Sequence, residues 1–150
     1  CRKCKLGKVK GTKHLSFELP AGIDNGDYVI SGEGESIPGG ASGDLIIRVN
    51  VQPHSKFKRD GRDVFYDAQI SMMDASLGKK FDVPTLQGLV EITVESGSQP
   101  NTIIKLKGKG LPGRGFRGRG DQYVRLVVNI PKKLSKDQKN LLKELQDSFN

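Results

Sequence analysis

Apolar and polar residues alternate along most of this chain, a period of two that predicts strands. Leu15, Phe17 and Leu19 alternate with Ser16 and Glu18, a half-buried strand by this reading, and Pro20-Ala21-Gly22 stops it. Asp24-Asn25-Gly26-Asp27 carries turn chemistry, Tyr28-Val29-Ile30 reads as a short strand, and residues 35–43 as a Gly/Pro-rich loop. Residues 45–51 give the strongest strand of this half, and residues 53–61 read as a connection between modules. Val64, Tyr66, Ala68 and Ile70 then alternate as a strand, and Ser71-Met72-Met73-Asp74 caps a short helix that Gly78 ends. Residues 81–84, 90–94, 103–106 and 123–130 complete the strands. Only near the C-terminus does the period change. Behind a capping box of Ser135 and Gln138, Leu141, Leu145 and Phe149 fall at i, i+4 and i+8 with Leu142 beside them, predicting a helix with one apolar stripe. Pattern alone leaves two fates for that stripe: packing on its own sheet, or meeting a second copy of the chain.

The pattern is also written twice. Leu-Ser-Phe-Glu-Leu-Pro-Ala-Gly at 15–22 lies over Val-Glu-Ile-Thr-Val-Glu-Ser-Gly at 90–97, apolar at the same alternate places and closed by glycine. Gly32-Glu33-Gly34 answers Gly108-Lys109-Gly110, Gly43-Asp44 answers Gly120-Asp121, and each copy ends in a strand and a proline, Pro53 or Pro131. A β unit repeated in tandem implies two similar small sheets. A strand–helix–strand segment at 63–86 precedes the second copy, whereas only a basic, glycine-bearing stretch at 1–14 precedes the first. The first module therefore reads as incomplete, and the chain as part of a longer protein. The expected fold is mainly β: two tandem small β-sandwich-like domains (15–62, incomplete, and 63–131), one short internal helix, and a C-terminal helix in 132–150.

Composition narrows the function. With 150 residues, 35% hydrophobic and 28% charged, the chain has the make-up of a soluble globular protein, and no apolar run is long enough for a membrane span or a signal peptide. The net charge of +8 is uneven: residues 1–14 hold six Lys/Arg and no acid, residues 15–55 six acids and one arginine. A nucleic-acid binder more often shows one continuous basic face interleaved with aromatics; opposite blocks fit two modules with different surfaces. Cys1 and Cys4 are the whole cysteine content, so there is no disulfide framework and a reducing, intracellular compartment is expected.

Cys1-x-x-Cys4 supplies two donors of a tetrahedral zinc site that needs four; a redox dithiol is the rival reading, though such pairs sit at a helix start after a strand. The Arg/Gly-rich loop at 113–120 resembles segments that hold RNA by arginine stacking, and occupies the repeat position of the arginine-free loop at 35–43. A hairpin loop of drifted charge is the more economical reading of it. Catalysis finds no support: His14 and His54 have no nucleophile at a recognisable spacing, and Gly108-x-Gly110 lacks the third glycine and following helix of a dinucleotide site. Binding through apolar surface remains, with an extended peptide added to a sheet edge.

At this point the residues resemble a family. Cys1-x-x-Cys4, Leu15 through Pro20-Ala21-Gly22, Asp24-x-Gly26-Asp27, Gly32-Glu33-Gly34 and Gly43-Asp44-Leu45 are similar to the C-terminal part of DnaJ-type co-chaperones, the class with a cysteine-rich zinc domain. So are Pro53-His54-x-x-Phe57-x-Arg59-x-Gly61-x-Asp63, Ala75-x-Leu77-Gly78, Val83-Pro84-Thr85-Leu86-x-Gly88, Lys107-Gly108-Lys109-Gly110-Leu111-Pro112 and Gly120-Asp121. The resemblance runs through the closing Leu134-Ser135, Gln138 and Leu141-Leu142 and covers essentially the whole chain.

That resemblance implies a non-enzymatic, client-binding fragment that holds unfolded or misfolded polypeptides in an apolar groove and delivers them to a DnaK-type (heat-shock seventy) chaperone. It implies that residues 1–14 end a zinc region whose other cysteines lie upstream, with Cys1 and Cys4 as a half-site and zinc as cofactor of the full-length protein. Leu15 and Ile47 match groove positions by their distance from Pro-x-Gly and Gly-Asp, and Phe17 joins them by alternation. The closing helix, with Leu141, Leu142, Leu145 and Phe149, matches a homodimerisation element. A membrane is not an implied partner, and nucleic acid is the alternative reading. The ending Ser-Phe-Asn carries no prenylation motif, which favours a cytoplasmic bacterial-type member, with a mitochondrial or other organellar matrix as the alternative. Two departures stand out. The zinc knuckle reads Cys1-x-x-Cys4-x-Leu6-x-Lys8 where the family has glycines, and residues 27–32 are one residue short. With no J domain or His-Pro-Asp motif, the chain is not expected to stimulate the partner's ATPase by the usual route.

Overall fold

The structure is a computed structural model and describes residues 12, 14–35, 40–113 and 118–149. Its order is β1 (Gly26–Ile30), β2 (Leu45–Val49), β3 (Phe57–Asp60), β4 (Asp63–Ser71), α1 (Met72–Leu77), β5 (Lys79–Thr85), β6 (Gly88–Val94), β7 (Ile103–Leu106), β8 (Gln122–Asn129) and α2 (Lys136–Ser148). The fold is mainly β, as the alternation implies. In the first copy β1 and β2 form an antiparallel hairpin. In the second, a four-stranded sheet of order β3-β4-β8-β7 has one parallel pair, β4 with β8, and β5 and β6 form a separate antiparallel pair.

The core lies in the second copy. Inward residues Ala68 and Ile70 of β4, and Val124 and Leu126 of β8, meet Val83, Ile92 and Val94 of the β5–β6 pair, with Ala75 of α1 closing one end. Each large apolar side chain buried there contributes about 1.5–3 kcal/mol. Gln122 is buried among them, and its amide Nε2 donates to the Pro84 carbonyl at 2.9 Å, a polar tie between the two sheets. Across the outer face Asp67 and Arg125, opposite one another in the β4–β8 register, form a two-pronged ion pair at 2.8 Å.

The repeat survives in three dimensions. Ile30 faces Leu45 and Tyr28 faces Ile47 in the first copy; Leu106 faces Gln122 and Ile104 faces Val124 in the second, the same register in repeat terms. At the end of each hairpin an aspartate accepts from the first glycine of the Gly-x-Gly motif: Gly32 N–H to Asp44 Oδ1 at 3.1 Å, Gly108 N–H to Asp121 Oδ1 at 2.7 Å. The next glycine pair closes likewise, Gly34 N–H to the Gly43 carbonyl at 2.7 Å and Gly110 N–H to the Gly120 carbonyl at 2.9 Å.

Two expectations are corrected. Residues 15–19 run without a ladder partner and are exposed, not a half-buried strand. Their repeat counterpart lies in β6, which is a strand because β5 pairs with it rung for rung from Lys79↔Val94 to Thr85↔Gly88. Among the described residues no strand stands before Leu15 to do the same, and alternation alone cannot satisfy a lone backbone. Residues 53–61, read as a connection, contain strand β3, which pairs with β4 at the edge of the second sheet. With one apolar residue, Phe57, and three charged ones, that stretch gives no period-two signal; the tight turn around Gly61 brings β3 back on β4.

Candidate functional site

Among the described residues nothing covers the apolar side chains that lead into the first copy. Leu15 is 39% exposed, Phe17 48% and Leu19 56%. Their repeat counterparts Val90, Ile92 and Val94 are half-buried, buried and buried. Ile47 sits on the half-buried face of β2 with Leu45 and Val49, opposite Tyr28 and Ile30 of β1; its counterpart Val124 is fully buried. Leu15 and Phe17 thus share one extended strip and Ile47 lies on a sheet. Among the described residues no ladder pairing joins strip to sheet. Leu19 belongs to this strip as fully as the other two.

The strip leads into the turn at 20–24, which the second copy holds. Arg59 of β3 donates from Nη1 to the Ile23 carbonyl at 2.8 Å and from Nη2 to the Gly22 carbonyl at 3.0 Å. It also pairs with the Asp24 carboxylate, and its Nε is fixed by the Gly61 carbonyl at 2.9 Å. Sequence reasoning placed Arg59 in a motif without a role; only the fold brings it to residues 22–24. Beside it a cavity of about 730 Å³ opens between the copies, with Asn25 and Val51 on one wall and Phe57, Val64, Leu86 and Leu111 on the other.

The clearest electrostatic perturbations belong to the second copy. The Lys105 ammonium, 2.8 Å away, and the Gly108 N–H together hold the Asp121 carboxyl below its ordinary range. Asp67 is lowered in the same way by the Arg125 guanidinium. Asp67 and Arg125 pair across β4 and β8, and Asp121, one residue before β8, ties Lys105 of β7 to the hairpin corner. Zinc needs four donors; Cys1 and Cys4 lie outside the described residues and supply two. Among the described residues no group of three or more His, Cys, Asp or Glu could hold a metal. Arg114 and Arg117 also lie outside the described residues. Arg119 is described, and its Nε donates to the Gly110 carbonyl at 3.4 Å across the base of the loop.

On α2 the capping box is complete: Gln138 N–H donates to Ser135 Oγ at 3.2 Å and Ser135 N–H to Gln138 Oε1 at 2.9 Å. The stripe itself is not covered by the chain's own sheets. Leu141, Leu145 and Phe149 are 65%, 50% and 82% exposed, and Leu142 is half-buried. No helix among the described residues is long and apolar enough to cross a membrane.

A duplicated β unit with one filled core, one open apolar strip and a bare amphipathic helix leaves apolar surface open to a partner. Comparison with known proteins places it: the DnaJ C terminal domain family model matches residues 2–131, and the chain belongs to that family. The chain is 45% identical over 150 residues to the chaperone protein DnaJ of Acetivibrio thermocellus, covering 98% of this chain and 39% of that protein. It is 47% identical over 136 residues to the chaperone protein DnaJ of Clostridium kluyveri, covering 89% of this chain and 36% of that protein. The chain thus spans about two fifths of the length of these curated relatives.

Proposed function

We propose that this chain is the part of a co-chaperone that holds unfolded polypeptides, through the strip of Leu15, Phe17 and Leu19 with Ile47 as a neighbouring apolar contact. What supports this reading is the match of the DnaJ C terminal domain family model to residues 2–131, together with the apolar side chains of Leu15, Phe17 and Leu19 aligned along one strip. A client segment laid along the strip gains backbone hydrogen bonds that are indifferent to sequence, and side-chain burial that favours Leu and Phe. Burying two such side chains is worth about 1.5–3 kcal/mol each. Set against the cost of ordering the client, this gives a dissociation constant on the order of millimolar to micromolar. Weak, permissive binding suits transfer of the client to a DnaK-type chaperone. The bare stripe on α2 pairs two molecules, so that two strips act on one client. In a longer chain Cys1 and Cys4 supply half of a zinc ligand set.

The combined variant Leu15→Ser plus Ile47→Ser is expected to lose protection of a chemically denatured protein against aggregation, read by light scattering, while its circular dichroism stays β-rich. Undiminished protection removes the reading. Leu141→Asp plus Leu145→Asp is expected to halve the mass measured by sedimentation equilibrium.

A further inference from the structure

Among the described residues one side chain, Arg59, makes the side-chain hydrogen bonds that join the two copies. An open cleft of about 730 Å³ lies between the hairpin end of the first copy and the sheet edge of the second, beside this side chain. What spans the gap is the Arg59 guanidinium. Its Nε is seated on the Gly61 carbonyl within its own hairpin, and its two other nitrogens reach the Gly22 and Ile23 carbonyls and the Asp24 carboxylate. That is one rigid fork gripping three consecutive residues of one turn, which a lysine ammonium cannot reproduce. The turn is also pressed on the second copy: a Cβ on Gly22 would lie 2.6 Å from the Pro112 carbonyl oxygen.

The repeat shows that this is a special arrangement. In the second copy the counterpart turn is held from within, Gly97 N–H donating to the Ala75 and Ser76 carbonyls of α1 at 2.9 and 3.2 Å, and nothing crowds Gly97. The first copy has no such helix among its described residues, and its turn, the one that follows the strip at 15–19, is held from the other module.

We propose that Arg59 is a latch, a positioning residue that ties the turn after the apolar strip to β3 and sets the angle at which the strip is presented to a client. This rests on the client-holding reading above. A loosened latch leaves the strip intact but spreads it over many orientations, of which a fraction is competent to bind, and apparent affinity falls by that fraction.

The test uses the full chain with Cys1→Ser and Cys4→Ser, spin labels at Val29→Cys and Glu91→Cys, and a fluorescein-labelled unstructured peptide rich in Leu and Phe. Arg59→Ala and Arg59→Lys are expected to broaden the inter-label distance distribution and raise the peptide's Kd about fivefold or more. The amide spectrum of residues 63–131 should keep its pattern beyond the immediate neighbours. In an otherwise label-free chain, Asp24→Cys with Arg59→Cys should bind as weakly as Arg59→Ala, and a short bis-maleimide crosslink between the two thiols should restore affinity. A merely structural arginine would not be rescued in this way. An unchanged distance distribution in Arg59→Ala, an unchanged Kd despite a broadened one, or a failed crosslink rescue each overturns the latch. Peptide binding indifferent to Leu15→Ser plus Ile47→Ser instead sinks the client-holding reading, and the distance measurement then decides alone whether Arg59 orders the junction.

Discussion

Arg48 and Arg125 occupy the same place in the two copies, and they face opposite ways. Arg125 reaches to Asp67 on β4, while Arg48, with no such strand beside it, turns to Asp27 on β1 at 2.8 Å. The residue at the Asp27 position of the second copy is Ile103, which offers no charge. The hydrophobic positions tell the same story. Val124 and Leu126 are sealed under the β5–β6 pair, whereas Ile47 and Val49 remain half-buried because nothing described lies over them. The corner bonds between glycine and aspartate, by contrast, are present in both. Local backbone geometry is set by residues within one hairpin, so it is preserved in each copy. Burial depends on what the rest of the chain lays on top, so there the copies part.

That comparison can be broken by substituting matched positions. The largest effect is expected at the core: Leu126→Ala should cost about 4 kcal/mol in urea unfolding, against about 1 kcal/mol or less for Val49→Ala, its half-buried counterpart. Equal costs would mean that the first copy has a core of its own. The glycine before the corner aspartate comes next. A Cβ on Gly120 would lie 2.2 Å from the Arg62 carbonyl oxygen, while one on Gly43 meets only the Glu35 carbonyl oxygen at 3.8 Å. Gly120→Ala is therefore expected to cost about 3 kcal/mol and Gly43→Ala to stay within about 0.5 kcal/mol of zero, compared by the same unfolding midpoints.

The smallest effect is a titration. Asp121 and Asp67 have folded pKa values lowered by Lys105 and Arg125 respectively. Their stabilisation is thus in place above the unfolded carboxylate value of about 3.9 and is lost as pH falls through the lowered folded values. The unfolding midpoint should drop between pH 5 and pH 2, and Asp121→Asn should flatten part of that drop. A slope unaltered by the substitution would show that the corner pair contributes nothing to acid stability.

Much was legible before any coordinates. The duplicated motifs named the corner glycines and aspartates, and Ser71 and Ser135 marked both helix starts, because caps and turns are decided by residues a few positions apart. Alternation marked the β4 strand and its inward face, since a strand buried on one side must write that side in every second residue, and an apolar run marked β8. Alternation failed at residues 15–19, where the letters of a strand are present but no partner stands among the described residues. It also passed over β3, which is a strand only because β4 lies against it. Arg59 is the sharpest case. Its motif was visible and its role was not, because the carbonyls it grips are 36 and 37 residues away in sequence. Sequence by itself determined the repeat, the turns, the caps and which residues are apolar. Only the tertiary structure decided which apolar residues are covered and which arginine spans the junction, since both depend on contacts between segments far apart in the chain.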